Sequence, residues 1–161
     1  MGKIDTLIYN VGVGYFKGFD STTEEDFETC WKSGPKGLFS FAKAVVPHFK
    51  ENGGGVIGVT GATASWRGMP STSAFAPAKF GVRALCQSLA RDLGPKNIHV
   101  FHIVIDGMVR LPTTSGIAEG RLLDPDDIAE TYWFLANQSK QCWSYEVNVG
   151  AYEAAGDMLT I

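Results

Sequence analysis

The chain lacks the features that mark nucleic-acid-binding and membrane proteins. Its 14 Lys and Arg residues are outnumbered by 17 Asp and Glu, its formal net charge is −3, and it has no Lys/Arg cluster. Without a broad basic surface, binding to a phosphate backbone is disfavoured. The apolar run from Leu7 to Tyr9 is too short for a signal peptide or a membrane span. We therefore predict a cytoplasmic protein that binds neither nucleic acid nor membrane.

Cysteine and histidine are too sparse for a disulfide framework or a metal site. Cys30, Cys86 and Cys142 are far apart, odd in number and without C-x-x-C spacing, which indicates reduced thiols. His99 and His102 lie three positions apart on a predicted strand, so their side chains should point to opposite faces of the sheet. A shared metal ion is therefore not expected.

The chain has 161 residues, of which 45% are hydrophobic and 19% charged. This length and composition predict one domain spanning residues 1–161. Strands separated by helix-length segments predict the α/β class, with a parallel sheet covered by helices on both faces. Pro35, after Gly34, should break the first helix near its middle, and the first strand should be buried on both faces. Strands are predicted at 4–10, 56–60, 98–105 and 145–149, and helices at about 22–49, 73–93 and 124–135.

Three motifs occur in the order that one known family has them. Asn10-Val11-Gly12 follows the first predicted strand, Phe75-Ala76-Pro77-Ala78-Lys79 has the spacing of Tyr-x-x-x-Lys, and Asp106-Gly107 follows the third strand. Together they resemble the short-chain dehydrogenase/reductase family from its fourth strand onward, where the first motif is Asn-Asn-Ala-Gly and the last is Pro-Gly. The resemblance implies a partial Rossmann-like sheet of about four strands that lacks the first strands of the family.

The resemblance also implies a set of catalytic positions. In this family a nicotinamide hydride moves to or from a carbonyl carbon while Tyr transfers the proton, Ser binds the carbonyl oxygen, Lys assists Tyr and holds the ribose, and Asn organises a water. By position Lys79 matches the Lys, whereas Phe75, Ala62 and Gly34 stand at the Tyr, Ser and Asn positions. A phenyl ring cannot exchange a proton. We therefore expect a protein that is not catalytically competent by this route and acts, if at all, through binding or assembly.

Two questions about these residues stay open at this level. Lys79 either faces a cofactor or lies on a helix surface with its stem on apolar neighbours. One of Thr60, Thr63 and Ser65 could supply a substitute hydroxyl, or all three simply form the turn after the second strand. The alternative function is therefore an NAD(P)-dependent oxidoreductase of a carbonyl or alcohol substrate whose N-terminal cofactor-binding part is missing from this chain.

The cofactor implied by the resemblance is NAD or NADP. Family members begin with a strand, a Gly-rich turn and a helix that binds the pyrophosphate, and no such pattern precedes the first strand here. The segment from Gly12 to Gly18 does follow a strand, but no helical pattern starts until about Thr22. We therefore expect a truncated domain without the dinucleotide pocket. The residues that would still contact the cofactor are Asn10, Gly12, Thr60, Lys79, Asp106 and Gly107.

A homo-oligomer is expected on two grounds. If the first strands are missing, the strand at 4–9 has a free edge that can pair with another chain. In the resembling family, the long helices that correspond to Phe27–Phe49 and Ser73–Leu93 also commonly form a subunit interface.

Overall fold

The computed structural model describes residues 2–154. In chain order the strands are β1 (Thr6–Tyr9), β2 (Gly55–Ala62), β3 (Ile98–Ile105), β4 (Met108–Val109), β5 (Leu122–Leu123) and β6 (Glu146–Val149). The helices are α1 (Glu24–Trp31), α2 (Gly37–Glu51), α3 (Phe75–Leu93) and α4 (Pro125–Ala136), with a π-helical turn at Lys32–Lys36. No helix within residues 2–154 is long and apolar enough to cross a membrane.

A four-stranded parallel sheet in the order β1-β2-β3-β6 forms the centre of the fold. Helices α2 and α3 cover one face, where Leu38 packs in a cluster with Ile57 and Val100. Helix α4 covers the other face, where Leu135 packs with Phe101. The predicted α/β class with about four parallel strands flanked by helices is therefore confirmed.

The strands differ in how far they are buried. In β3, every residue from Ile98 to Val104 is buried, which is typical of a central parallel strand. The prediction that the first strand is buried on both faces is wrong, since Ile8 is 43% exposed. The reason is its position: β1 is an edge strand that, within residues 2–154, pairs with β2 alone.

The predicted break in the first helix lies where the sequence places it. In the turn at Lys32–Lys36, Gly34 leaves the helical region with φ −86° and ψ −110°. The Tyr9 hydroxyl donates a 2.5 Å hydrogen bond to the Ser33 carbonyl oxygen, and a Cβ at Gly37 would clash with that hydroxyl. The break is thus anchored to the carboxyl end of β1.

A second, two-stranded sheet formed by β4 and β5 is not predicted from the sequence, because two-residue strands are too short to show a period. Met108 aligns with Leu122, and Val109 with Leu123. Gly107, just before β4, has φ +148°, a conformation that favours glycine. This pair joins the two ends of the 110–121 segment beside the carboxyl end of β3.

Candidate functional site

A cleft with a volume of about 1230 Å³ lies at the carboxyl ends of β1, β2 and β3. This end of an open parallel sheet is where ligands of doubly wound folds bind. All six residues expected to contact a cofactor line this cleft: Asn10, Gly12, Thr60, Lys79, Asp106 and Gly107. The structure therefore brings together residues that are up to 97 positions apart (107 − 10 = 97).

Lys79 projects from α3 into this cleft. Its side chain is only 8% exposed, and its Nζ donates a 2.9 Å hydrogen bond to the Thr60 carbonyl oxygen. A Cβ placed on Gly12 would lie 3.4 Å from Nζ, so glycine at this position leaves room for the amine. Burial lowers the pKa of Lys79 to about 8. Lys79 is therefore not the solvated surface lysine of the second alternative.

Phe75, the first residue of α3, also lines the cleft. Its ring lies 5.2 Å from the ring of Phe16, centroid to centroid, with a tilt of 57°. The Nζ of Lys79 is 5.7 Å from the Phe75 ring centroid, within the range of a cation–π contact. The position matched to the family tyrosine thus presents an apolar ring pair with no group that can donate a proton.

The other two unmatched tetrad positions also lack a functional side chain. Ala62, the last residue of β2, lines the cleft and donates from its backbone N–H to the Ser65 Oγ at 3.2 Å. Gly34 lies in the helix break, where an added Cβ would be 3.4 Å from the Cβ of Ala78. An Asn at this position would have to fit against α3.

The three candidate substitute hydroxyls have different surroundings. Ser65 is fully buried and caps the turn after β2. The Thr60 hydroxyl donates to Asn10 Oδ1 at 2.7 Å and also contacts the hydroxyl of Tyr132 from α4. The Thr63 hydroxyl donates to Asp106 Oδ1, and Thr63 lines the cleft. Of the three, Thr63 is the one that faces the cleft with a carboxylate beside it.

Tyr132 does not replace the missing catalytic phenol. It lies on α4 and reaches the cleft only through the Thr60 hydroxyl. Burial raises its pKa to about 12, so the group holds its proton throughout the physiological range. We interpret the contacts among Tyr132, Thr60 and Asn10 as a structural link between α4 and the carboxyl ends of β1 and β2.

Asp106 carries a negative charge into the wall of the cleft. It is 6% exposed, and its Oδ1 accepts the Thr63 hydrogen bond and lies 3.9 Å from an Nη2 of Arg67. Its Oδ2 is buried and has no hydrogen-bond partner. Arg67 and Phe16 were not among the predicted site residues, because both lie in irregular segments where the sequence has no period to place them.

The residues described fit one end of a dinucleotide better than the other. A lysine ammonium has three N–H donors, and one of those of Lys79 goes to Thr60, so donors remain for the hydroxyls of a ribose. Helix α1 is a poor phosphate site, because Thr23 and Asp26 form a closed capping box and Glu24 and Glu25 add negative charge. The cleft therefore suits the nicotinamide ribose, whereas α1 does not suit the pyrophosphate.

A second polar cluster lies behind the cleft. As predicted, His99 and His102 point to opposite faces: His99 stacks on Trp143 at 4.8 Å, and His102 Nδ1 lies 3.0 Å from Glu146 Oε2 on the α3 face. Cys86, nearby on α3, is buried, and its burial raises the thiol pKa to about 12. It is therefore an unreactive thiol rather than a nucleophile.

Comparison with known proteins gives the same assignment for most of the chain. A family model described as short chain dehydrogenase matches residues 1–121. The chain is 32% identical over 148 residues to a 3alpha-hydroxysteroid dehydrogenase of Mediterraneibacter gnavus, covering 84% of this chain and 59% of the relative. Across three curated relatives, the chain spans between 59% and 63% of their length.

Solved structures show the same fold. A short-chain dehydrogenase from Rhodopseudomonas palustris superposes with a TM-score of 0.80 at 35% identity, covering 94% of this chain and 64% of the other. A 3-ketoacyl-(acyl-carrier-protein) reductase from Brucella melitensis, solved with NADH, superposes with a TM-score of 0.83 at 26% identity, covering 95% and 68%.

Proposed function

Because this chain belongs to the short-chain dehydrogenase family, we propose that it binds a small carbonyl or alcohol compound in the cleft without catalysing the family's tyrosine-dependent proton transfer. The observation that carries the proposal is the aromatic pair at the tyrosine position. The Phe75 ring faces Phe16 and lies 5.7 Å from the Lys79 amine, so the amine stands beside a ring with no hydroxyl to activate.

General magnitudes indicate how far the catalytic rate should fall without the tyrosine hydroxyl. A positioned general acid contributes about 10²–10⁴-fold to a rate, and the hydrogen bond to a developing oxyanion contributes on the order of 10²–10³-fold. With Phe75 and Ala62 at those positions, both contributions are absent from the family's route. Binding of the substrate class depends on shape and apolar contact, and these remain in the cleft.

We propose NAD or NADP as the cofactor class, with contacts limited to the nicotinamide ribose end. Lys79 and Thr60 at the carboxyl end of β2, with Asn10 and Gly12 after β1, are the residues that would hold it. When bound, the nicotinamide would supply or accept a hydride. Lys79 would donate to ribose hydroxyls. Phe75 would exclude water from the space around the nicotinamide ring without moving a proton.

A second candidate is a working NAD(P)-dependent oxidoreductase that uses another proton donor. The observation in its favour is the lowered pKa of Lys79, about 8 because of burial, which suits a general acid near neutral pH. The Thr63 hydroxyl, held by Asp106, is the other group in the cleft that carries a transferable proton. Both candidates share the same cleft and differ in whether turnover occurs.

The two candidates are separated by binding and turnover on the same protein. NADH and NADPH are titrated by fluorescence, and oxidation of alcohols by NAD and NADP is followed by absorbance, for the wild type and for Phe75→Tyr. The non-catalytic proposal expects no turnover above background for the wild type, whether or not nucleotide binds. The second candidate expects both saturable nucleotide binding and turnover. Turnover of the wild type at ordinary enzyme rates would overturn the first proposal, and Lys79→Met would then test the proton donor.

We further propose that the chain forms a homo-oligomer in a reducing, cytoplasmic environment. Large side chains are exposed on α1, α2 and α3, which supports a helix-mediated interface: Phe27, Trp31, Phe39, Phe41 and Phe80. All three cysteines are free, which suits a reducing compartment. Sedimentation at micromolar concentration tests the assembly. A strictly monomeric mass would contradict it.

A further inference from the structure

Lys79 is a buried amine whose partners within the described residues include no anion. It is 8% exposed and lines the cleft, and its one hydrogen bond goes to the Thr60 carbonyl oxygen at 2.9 Å. Three other lysines each pair with a carboxylate: Lys17, Lys32 and Lys96. Burial of a charge is costly unless the charge is paired. The surroundings of Lys79 therefore disfavour the ammonium form and favour the neutral amine.

The titratable neighbours of this amine do not hold a proton on it. Burial lowers the pKa of Lys79 to about 8, so about half of the molecules carry the neutral amine at pH 8, against less than about 1% for an ordinary lysine. Cys86 on α3 and His102 on β3 interact with it electrostatically. Burial raises the pKa of Cys86 to about 12 and lowers that of His102 below 6.5, so both are uncharged at pH 8.

The walls of the cleft beside the amine are apolar. The Lys79 Nζ lies 5.7 Å from the centroid of the Phe75 ring, which pairs with Phe16. Met69 and Met108 line the same cleft and are more than half exposed. Clustered exposed apolar residues mark binding surfaces, and methionines adapt to varied ligand shapes. A desolvated lysine in such a site is the form of the residue that attacks carbonyl carbons.

We propose that Lys79 condenses with an apolar aldehyde in the cleft to form a reversible imine, so that the protein holds the aldehyde covalently. This inference rests on the proposed binding function of the same cleft and names the group that would bind the carbonyl carbon. It concerns the protein without nucleotide, because a bound ribose would occupy the same amine.

The condensation balances without an oxidant or a reductant. The Nζ lone pair forms a bond to the carbonyl carbon, the π electrons of the carbonyl move to its oxygen, and a proton passes from nitrogen to that oxygen. The carbinolamine then loses its hydroxyl group and the second amine proton as water, which leaves a C=N bond. Protonation of the imine by solvent restores one N–H, and this group can keep the hydrogen bond to the Thr60 carbonyl oxygen. Addition of water reverses the sequence.

The test traps the imine in the wild type at pH 8 without nucleotide. The protein is mixed with 3-phenylpropanal and sodium cyanoborohydride, whose hydride reduces the C=N bond to a stable secondary amine, and peptide mass spectrometry locates the adduct. Because more of the amine is neutral, Lys79 is expected to be alkylated about tenfold faster than the exposed Lys43 and Lys50. In guanidinium chloride the chain unfolds, and all three lysines should react at the same rate.

Two substitutions are matched controls. Lys79→Met should abolish the fast adduct and leave the alkylation of Lys50 unchanged, whereas Lys43→Met removes an exposed lysine and should leave the fast adduct intact. Alkylation of Lys79 no faster than that of Lys43 and Lys50, or a preference that persists in guanidinium chloride, would overturn the inference.

A non-reacting ligand separates this inference from the proposed function. The alcohol 3-phenylpropan-1-ol has the same apolar body but cannot form an imine, and its binding to the wild type is measured by calorimetric titration. If Lys79 is not alkylated preferentially but the alcohol binds, the imine is overturned and the cleft remains a binding site. If the alcohol does not bind either, the inference and the binding part of the proposed function are overturned together.

Discussion

Two carboxylates on neighbouring parts of the sheet, Glu146, which is half-buried, and Asp106, which is buried, are bonded very differently. Glu146, at the start of β6, accepts from Arg83 Nη2 at 2.7 Å and Arg83 Nε at 2.8 Å, and from His102 Nδ1 at 3.0 Å. Asp106, just after β3, has one oxygen bonded to Thr63 and the other without a partner. The Glu146 carboxylate is therefore saturated by the protein, whereas Asp106 keeps one buried oxygen without a partner.

The largest expected effect comes from removing each carboxylate in turn. Glu146→Ala leaves the Arg83 guanidinium and the buried His102 ring without their acceptor, and should lower the free energy of unfolding by about 3 kcal/mol. Asp106→Ala removes the acceptor of the Thr63 hydroxyl together with an oxygen that has no partner, and should lower the free energy of unfolding by only about 1 kcal/mol. Urea denaturation at pH 7 measures both. Equal losses would show that Asp106 is structural as well.

Two lysine and arginine side chains of α3, Lys79 and Arg83, also differ in how fully they are paired. This difference predicts the next largest effect, a change of stability with pH. Arg83 is paired bidentately with Glu146, whereas Lys79 has a backbone carbonyl as its acceptor. Burial lowers the pKa of Lys79 from 10.5 to about 8, so above pH 8 the folded state binds fewer protons than the unfolded state. This difference alone should raise stability between pH 8 and pH 10 by on the order of 2 kcal/mol. The raised pKa of the Cys86 thiol acts in the opposite direction, because the unfolded thiol ionises over the same range.

Lys79→Met should remove this rise, because methionine does not titrate. Arg83→Met is the matched control: it removes a cation from the same helix that stays charged throughout this range, so the alkaline rise should persist. Denaturation midpoints of the three proteins between pH 8 and pH 10 make the comparison. If stability still rises between pH 8 and pH 10 in Lys79→Met, another titrating group is responsible for the rise.

A smaller effect on stability is expected at acidic pH, from the cluster of His102, Glu146 and Arg83. Burial lowers the pKa of His102 below 6.5, despite the hydrogen bond to Glu146, which raises it. Below pH 6.5 the unfolded chain therefore takes up a proton that the folded chain resists, and the free energy of unfolding decreases as the pH is lowered. His102→Gln keeps a donor for Glu146 and should weaken this fall without abolishing it, because burial also lowers the pKa of His99. His48→Gln, at an exposed position on α2, is the control.

These contrasts show how far sequence reasoning reaches. The period of the apolar residues predicts β3 at its observed bounds, and Pro35 after Gly34 predicts the observed helix break, because both depend on local properties. The family resemblance predicts six cofactor-contact residues, and these do line one cleft, since parallel strands end at one edge of the sheet. The exposure of Ile8 and the β4–β5 pair were missed, because edge position and two-residue strands leave no periodic signal.

The bonding of Asp106 and Glu146 could not be predicted for a related reason. Thr63 and Asp106 are 43 positions apart, and His102 and Glu146 are 44 apart. Nothing in the sequence distinguishes a carboxylate that will meet an arginine fork from one that will keep an oxygen unpartnered. Sequence indicates which residue types reach the carboxyl edge, and three-dimensional packing decides which of them are fully hydrogen-bonded.

The smallest expected effect on stability comes from placing a new polar group in the cleft. A cleft that is open to a ligand should tolerate such a group. Phe75→Tyr adds a hydroxyl that faces the cleft, where water or Lys79 can bond it, so the free energy of unfolding should change by less than about 0.5 kcal/mol. Phe101→Tyr is the matched control, because Phe101 is 0% exposed under α4, and an unpaired hydroxyl there should cost about 2 kcal/mol. Similar losses in the two variants, measured by urea denaturation, would mean that the Phe75–Phe16 pair is core packing. The cleft would then not be free to receive a small carbonyl or alcohol compound at that wall.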